Sequence, residues 1–308
     1  MIHLEETPWW ICDEGDYNFC AYVDTDSNYF NAEPLLNHLY PNFEEMSDEE
    51  KDDVLEQVAL KYQDIITKDY DRLAKDCFNV STHRLEMKTE CVIRSAYFRA
   101  TRRYAQWITK QEGIAKESLD VKGLEFKKAN FPPIFGEFFN DILEQILKGA
   151  EQNHIDKLVL DFRNYVMSPK LDITKLGNPT SVKTLNEYIT RKPRAGEVMT
   201  ELKKGAPVNV KAAVKYNDLL NFWGIKGHSE IVQGDKIKWI YLKDNPYKIE
   251  QIGFLAFDLP DKMEEFLNQY ADRKRSFETI LQSKLENFYR DLGWTLNLNP
   301  NINKFFSF

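Results

Sequence analysis

The chain has 308 residues, of which 43% are apolar, and carries a formal net charge of −8. This is enough apolar material for one large core or two modest ones. Residues 1–6 lack the basic and apolar regions of a signal peptide, and no run is long enough to span a bilayer, so the sequence predicts a cytoplasmic protein with no membrane partner. The four cysteines show no metal-site spacing and are interpreted as reduced packing residues.

The first predicted element is a β-hairpin over residues 18–30, with Asp24 and Asp26 at its bend. Its flanks are rich in β-favouring residues, whereas the Asp-Thr-Asp-Ser sequence between them favours a turn. Residues two apart on a strand face the same side, so the two carboxylates can converge on one site. Such a pair suits divalent metal ions, Mg²⁺ in particular, although an Asx turn with two solvated acids would have the same sequence.

A long helix is predicted from Ser47, because Ser47 and Glu50 have the spacing of a capping box. An apolar stripe at helical spacing continues to Leu73 and is expected to lie against the back of a sheet; it comprises Val54, Leu55, Val58, Tyr62, Ile65, Ile66 and Leu73. The helix carries ten acidic residues between Asp48 and Asp76, which are expected to face solvent.

Residues 84–126 alternate apolar and basic positions and are predicted to form the strands of that sheet. Residues 1–90 hold 22 acidic and 7 basic residues, net −15, whereas residues 91–308 have a net charge of +7. Residues 91–130 alone hold 9 basic and 4 acidic residues. This basic stripe is expected to neutralise phosphates, unless it is only a solvated charged face.

The second half of the chain is predicted to be mainly helical. Helices are expected from Pro132 to a C-cap at Gly149, from His154 to Met167, over 208–222, and from Pro260 to about Asp291, with a sheet between 231 and 257. Residues 168–206 have little regular pattern and are interpreted as a flexible segment. Its basic run, residues 191–194, is expected either to touch nucleic acid or to be solvated. The predicted fold class is therefore α+β.

The sequence Tyr22-Val23-Asp24-Thr25-Asp26-Ser27 resembles the third palm motif of family B DNA polymerases. Further similarities follow in the order of that family. Arg102-Arg103-Tyr104-Ala105 resembles its Lys-Lys-Arg-Tyr strand pair, residues 119–128 its Leu-x-x-x-Gly segment and basic stretch, and residues 209–217 and 235–242 thumb segments of the replicative polymerases of tailed bacteriophages. The resemblance extends from about residue 18 to the C-terminus.

This resemblance implies template-directed nucleotidyl transfer from dNTPs to a primer 3′ hydroxyl, with two Mg²⁺ ions as cofactors. Asp26 is expected to bridge both ions, Asp24 to assist, and Glu90 to be the additional palm carboxylate. Arg102, Arg103 and Tyr104 are expected to hold the primer strand. Three lysines are expected to contact the backbone phosphates of the primer-template DNA: Lys122, Lys127 and Lys128.

Two family motifs have no counterpart in this sequence: the first palm motif, with another metal-binding aspartate, and the fingers motif whose lysine meets the triphosphate. An exonuclease domain is also missing. The chain is therefore expected to be the C-terminal part of a split polymerase that needs an N-terminal polymerase subunit as partner. The predicted division is the C-terminal part of the palm over 1–126, a thumb over 127–296 and a tail over 297–308.

The tail combines asparagines and a proline with four large apolar side chains, Ile302, Phe305, Phe306 and Phe308. It resembles the C-terminal peptide by which phage polymerases bind a sliding clamp, although a tail folded on its own thumb is the alternative. Two other functions stay open at this point. One is a non-catalytic DNA- or clamp-binding factor, and the other is a nucleotide-sugar glycosyltransferase that uses a D-x-D motif.

Overall fold

The computed structural model describes residues 20–24, 27–194 and 196–298. The chain separates into two compact units, with the boundary between Leu124 and Glu125. The fold is α+β, as predicted. No helix in these ranges is long and apolar enough to cross a membrane.

The first unit contains a hairpin, two helices and a three-stranded sheet. The hairpin strands pair antiparallel, and so do the sheet strands, in the order β3-β4-β5. Strand β3 begins at Cys91, later than the predicted residue 84, so that Glu90 precedes the strand. The elements are β1 (Cys20–Asp24), β2 (Ser27–Phe30), α1 (Glu33–Leu39), α2 (Asp48–Phe78), β3 (Cys91–Ala100), β4 (Arg103–Gln111) and β5 (Ile114–Lys122).

Helix α2 begins as predicted, with a complete capping box between Ser47 and Glu50. Its first half packs on α1 and the 3₁₀ turn at Phe43–Glu45, where Leu35, Leu36, Phe43 and Val58 form a small core. The prediction that its whole apolar stripe lies against the sheet is wrong, because Ile65 is 40% exposed and Leu73 43% exposed.

Four acidic side chains near the start of α2 pair with bases of the sheet. Asp48 and Asp53 stay mostly exposed, as predicted, whereas Asp52 is buried. Arg94 on β3 donates to Asp48 at 2.6 Å and to Asp52 at 2.7 Å. Lys110 on β4 lies 2.8 Å from Glu56 and also bonds to Asp53. These two carboxylates raise the pKa of Lys110. Two bases of the predicted basic stripe are thus neutralised within the unit.

The second unit contains helices around a three-stranded antiparallel sheet in the order β10-β9-β6. The helix from Pro133 to Leu147 has its C-cap at Lys148, one residue before the predicted Gly149. Gly149 has a φ of +90°, as expected of a residue that follows a helix C-cap. The elements are α3 (Pro133–Leu147), α4 (Gln152–Met167), β6 (Asn178–Ser181), α5 (Leu185–Tyr188), β7 (Ile189–Arg191), β8 (Glu201–Leu202), α6 (Val208–Phe222), β9 (Lys236–Tyr241), β10 (Gln251–Phe254), α7 (Asp261–Tyr270), α8 (Arg273–Ser276), a π-helical stretch (Phe277–Gln282) and α9 (Ser283–Asp291).

Residues 168–206 contain regular structure that the sequence pattern did not indicate. Strand β6 forms an edge of the sheet by pairing with β9, and β7 pairs with β8. Pro179 is compatible with β6 because an edge strand needs hydrogen bonds on only one side. Leu171, Leu176 and Val182 are buried, so the prediction of a flexible segment is wrong.

The single helix predicted from Pro260 to Asp291 is interrupted after Tyr270. Ala271 forms a β-bridge with Leu242, and the Asp272 N–H donates to the Tyr241 carbonyl at 2.8 Å. The Asp272 side chain then accepts from the Arg275 N–H and begins α8. Bonds to a neighbouring strand therefore replace helical bonds at a position where the sequence is compatible with a continuous helix.

We expect Arg94→Ala to lower the free energy of unfolding by about 3 kcal/mol, because the Asp52 carboxylate would remain buried without its cation. Arg72→Ala is the matched control. Arg72 pairs with Asp69, but both side chains are more than half exposed, so its removal should cost less than about 1 kcal/mol. Urea denaturation of the two variants measures the difference, and equal losses would contradict a structural role for the Arg94 pair.

Candidate functional site

The β1–β2 hairpin places Asp24 at the end of β1, opposite Ser27 at the start of β2. The Ser27 hydroxyl donates to the Asp24 carbonyl at 3.2 Å, which joins the two residues that flank the turn. The predicted β-hairpin is confirmed. Asp26, the residue expected to bridge the metal ions, lies outside the described residues.

Four aromatic rings join this hairpin to the three-stranded sheet. Tyr22 and Tyr29 come from the hairpin, and Phe98 and Tyr104 come from β3 and β4. All six pairs of ring centroids are 5.4–5.8 Å apart, in tilted or edge-to-face arrangements. This is the range in which aromatic pairs attract each other. The cluster therefore fixes the position of Asp24 relative to the β3–β4 turn.

Arg102 in that turn forms a two-point ion pair with Asp24. Its Nε lies 3.0 Å from Asp24 Oδ2, and its Nη2 lies 3.2 Å from Oδ1. The Arg102 backbone N–H also donates to the Tyr22 hydroxyl at 2.9 Å. The carboxylate raises the pKa of the guanidinium, first through the hydrogen bonds and then through its charge. Arg102 is thus in contact with the hairpin through both its backbone and its side chain.

These residues line a cleft of about 450 Å³ in the first unit, which we call the Asp24 cleft. Five residues singled out from the sequence, across 98 positions of chain, meet there. The lining consists of Asp24, Ser27, Tyr29, Glu90, Arg102, Tyr104 and Lys122. The Lys122 ammonium lies 5.8 Å from the centre of the Tyr104 ring, within the range of a cation–π contact.

The hydroxyls of Tyr29 and Tyr104 are hydrogen bonded at 3.0 Å on the wall of the cleft. Burial is the main cause that raises the pKa of Tyr29, and its bond to Tyr104 adds to the effect. The Tyr29 hydroxyl is therefore protonated at neutral pH. The cleft combines carboxylates, cations and a pair of tyrosine hydroxyls, which is the chemistry needed to bind a phosphate group together with a cation.

The remaining DNA-binding candidates are exposed but do not line the cleft. Arg103 is the first residue of β4 and forms no ion pair with any residue in the described ranges. Lys127 closes a 3₁₀ turn at Glu125–Lys127 and, like Lys128, belongs to the second unit. The clamp-binding candidates at 302–308 lie outside the described residues.

Gly123 holds the β3–β4 turn close to the end of β5. It has a φ of +64°, and a Cβ on it would come within 1.9 Å of the Arg102 carbonyl oxygen. Arg102 itself has a φ of +59°, which is uncommon for a residue other than glycine. Gly123, the glycine of the Leu-x-x-x-Gly segment, is therefore required because the backbone of Arg102 approaches it too closely for a side chain. Arg102 is the residue that pairs with Asp24.

The cleft residues fit Mg²⁺ in donor type. The ion prefers carboxylate oxygens, waters and substrate phosphates to a complete protein cage, and Asp24 and Glu90 supply carboxylates. No group of three metal-binding side chains occurs among the residues that the structure describes, which do not include Asp26. Both Asp24 oxygens are bonded to Arg102, so an ion that binds Asp24 must compete with the guanidinium.

Sequence reasoning missed Tyr22, Ser27 and Tyr29 as parts of the site. Tyr22 is two residues before Asp24, so strand alternation places both side chains on one face. Tyr29 is the cross-strand partner of Tyr22. Both signals were available from the predicted hairpin, whereas the contact between these tyrosines and Tyr104 depends on tertiary packing.

Comparison with known proteins adds no family assignment: no family model matches the chain, and no curated protein is significantly similar to it.

We expect Gly123→Ala to destabilise the protein by more than about 3 kcal/mol and to displace Arg102, since the turn and the strand end cannot separate without breaking the hairpin contacts. Gly113→Ala is the control, because Gly113 also has a positive φ, of +78°, but its nearest neighbour is a flexible side-chain atom at 3.4 Å. This control should cost about 1–2 kcal/mol from backbone strain alone. Thermal unfolding tests the difference, and similar losses would show that the close approach is unimportant.

Proposed function

We propose that this chain is the C-terminal part of a two-chain family B DNA polymerase. In this proposal it contributes catalytic carboxylates and part of the DNA grip, and it works with a chain that supplies the missing palm motif and the fingers. The reaction joins the primer 3′ oxygen to the α-phosphorus of a dNTP, and pyrophosphate leaves. The residues that we assign to the reacting end of the primer are those of the Asp24 cleft.

The observation that carries the proposal is the convergence of separate motifs on one cleft. Asp24 comes from the motif that resembles the third palm motif, Tyr104 from the strand-pair motif, and Lys122 from the Leu-x-x-x-Gly segment. They line the same 450 Å³ cleft together with Glu90. Tyr104 and Lys122 are cross-strand partners, so the sheet itself brings them together. The support for the proposal is that the hairpin motif, which lies on a separate element, meets them at the same cleft.

Asp26, Asp24 and Glu90 are the residues that would hold Mg²⁺ in this proposal. Bound ions would neutralise charge that develops on the attacking and leaving oxygens. The chain's own residues do the remaining work. Arg102 orients Asp24 by holding both of its oxygens, and the protonated Tyr29 hydroxyl can donate to an oxygen acceptor in the cleft.

The proposed roles of the two arginines differ, because their surroundings differ. The charge of Arg102 is compensated by Asp24. Arg103 is exposed beside it, so we assign the phosphate contact to Arg103 and a positioning role to Arg102. Exposed Lys127 and Lys128 are assigned to phosphates further along the duplex, and the apolar tail at 302–308 to a sliding clamp.

A non-catalytic DNA- or clamp-binding role is the second candidate, and one observation favours it. The ion pair with Arg102 satisfies both oxygens of Asp24 without any metal ion. Such a protein would retain the DNA grip but would not need Asp26. The two functions therefore differ in what the loss of the Asp26 charge does to nucleotide addition.

We expect Asp26→Asn to reduce single-turnover nucleotide addition by roughly 10³-fold or more in the assembled enzyme, because phosphoryl transfer depends on positioning and charge stabilisation. DNA binding should persist. Asp69→Asn on the exposed side of α2 makes the same charge change and should leave the rate unaltered. The chain without its partner should not extend a primer. Rapid-quench assays measure these rates, and a wild-type rate for Asp26→Asn would refute the catalytic proposal.

We expect Arg103→Ala to weaken primer-template binding and to reduce the slope of log K against log salt by about one unit, as for the loss of one phosphate contact. Arg191→Ala is the matched control from the other basic run. Its guanidinium is bound to Glu197 and Glu201, both at 2.6 Å, so it should not contribute to the slope. Fluorescence anisotropy over a range of salt concentrations tests both, and an unchanged slope for Arg103→Ala would reject this contact.

A further inference from the structure

The guanidinium of Arg102 hydrogen bonds to one side chain among the described residues, the carboxylate of Asp24. The two bonds match the planar fork of the guanidinium to both carboxylate oxygens. The Arg102 side chain is 72% exposed and the Asp24 side chain is 30% exposed, so water competes for both groups. Because ion pairs between exposed side chains are only weakly stabilising, this pair can open while the first unit stays folded.

The backbone of Arg102, in contrast, is held on two sides. Its N–H donates to the Tyr22 hydroxyl at 2.9 Å, and its carbonyl lies against Gly123. The long side chain of an arginine can turn about several bonds while its backbone stays in place. A guanidinium released from Asp24 would therefore stay at the Asp24 cleft, which Arg102 lines.

The charges in the described lining of the Asp24 cleft are balanced. They comprise two carboxylates, Asp24 and Glu90, and two cations, Arg102 and Lys122. A divalent cation at Asp24 would add two positive charges and would leave the Arg102 guanidinium without its carboxylate. A bound metal ion is often the largest charge in its site, so the cleft would then favour an anion beside the guanidinium.

A phosphate group fits the donors of this cleft. A guanidinium binds phosphate through the same two-point geometry that it uses for a carboxylate. The hydroxyls of Tyr29 and Tyr104 and the ammonium of Lys122 supply further donors on the wall of the cleft. The guanidinium can therefore replace its bonds to Asp24 with equivalent bonds to phosphate oxygens.

We propose that Arg102 exchanges Asp24 for a phosphate group when a divalent cation binds to Asp24. The inference rests on the proposed metal site and adds Arg102 to its phosphate ligands; the positioning role of Arg102 applies before the cation binds. Cation and phosphate then bind cooperatively, because each stabilises the state in which the Arg102–Asp24 pair is open. By linkage, each ligand raises the affinity of the other by the same factor.

Mn²⁺ binding to the full chain tests the exchange, with free Mn²⁺ measured by electron paramagnetic resonance. Arg102→Ala should lower the Kd for Mn²⁺ by about tenfold, because the ion no longer competes with the guanidinium. Arg102→Lys keeps the positive charge but loses the two-point contact, so it should lower the Kd by about threefold. Arg72→Ala is the matched control, since Arg72 also pairs with an exposed aspartate, Asp69, and its loss should leave the Kd unchanged.

The Mn²⁺ titration is then repeated with dTMP, whose phosphate monoester is the probe, and with thymidine, which lacks the phosphate. A titration without protein corrects for Mn²⁺ bound by dTMP in solution. In the wild-type chain dTMP should lower the Kd for Mn²⁺ by about fivefold, whereas in Arg102→Ala the effect should fall to about twofold or less. Thymidine should have no effect in either chain.

Circular dichroism establishes that each variant is folded, and Arg102→Lys carries the test if Arg102→Ala is not. A lower Kd in both variants, together with loss of the dTMP effect in Arg102→Ala, supports the exchange. An unchanged Kd in either variant, or a dTMP effect that persists in Arg102→Ala, overturns it. Neither measurement involves nucleotide addition, so these outcomes are separate from a failure of the polymerase proposal. If no variant binds Mn²⁺, the proposed metal site is refuted together with the exchange.

Discussion

The packing of four aromatic rings between the hairpin and the sheet is the interaction on which the first unit depends. A two-stranded hairpin is marginally stable by itself in water, so β1 and β2 need a surface to pack on. Tyr22 and Tyr29 find that surface in Phe98 and Tyr104. The Arg102–Asp24 ion pair then fixes the end of the hairpin against the β3–β4 turn. The Asp24 cleft exists only because these contacts bring distant segments together.

Ion pairs inside the first unit neutralise several of the charges that its sequence contains. The strongly acidic first 90 residues suggest a negative potential that repels nucleic acid. The basic stripe at residues 91–130 suggests a positive potential that attracts it. In the fold, Asp48 and Asp52 neutralise Arg94, while Asp53 and Glu56 neutralise Lys110. Four acidic and two basic side chains are therefore used to hold α2 on the sheet. Counts of charge along the sequence do not distinguish bases that are paired within the fold from bases that are exposed, such as Arg103.

The Asp24 cleft holds the polar groups proposed to bind metal and phosphate. Its carboxylates come from two separate segments, since Asp24 ends β1 and Glu90 precedes β3. In the proposed split polymerase, the partner chain would supply a further carboxylate to the same cleft.

The sequence by itself determined the elements whose signals are local. The capping box at Ser47, the aspartate-rich hairpin and the helix over Val208–Phe222 were predictable because each depends on neighbouring residues and on the period of its apolar positions. The motif series also indicated Asp24, Arg102, Tyr104 and Lys122, which line one cleft. Only the tertiary structure decided what those residues contact. The helix predicted to Asp291 breaks where Ala271 meets Leu242, α2 turns acids toward the sheet, and Arg102 is bound to Asp24. Each of these outcomes depends on partners far apart in the chain, whose free energy of interaction exceeds the local preference and leaves no periodic signal in the sequence.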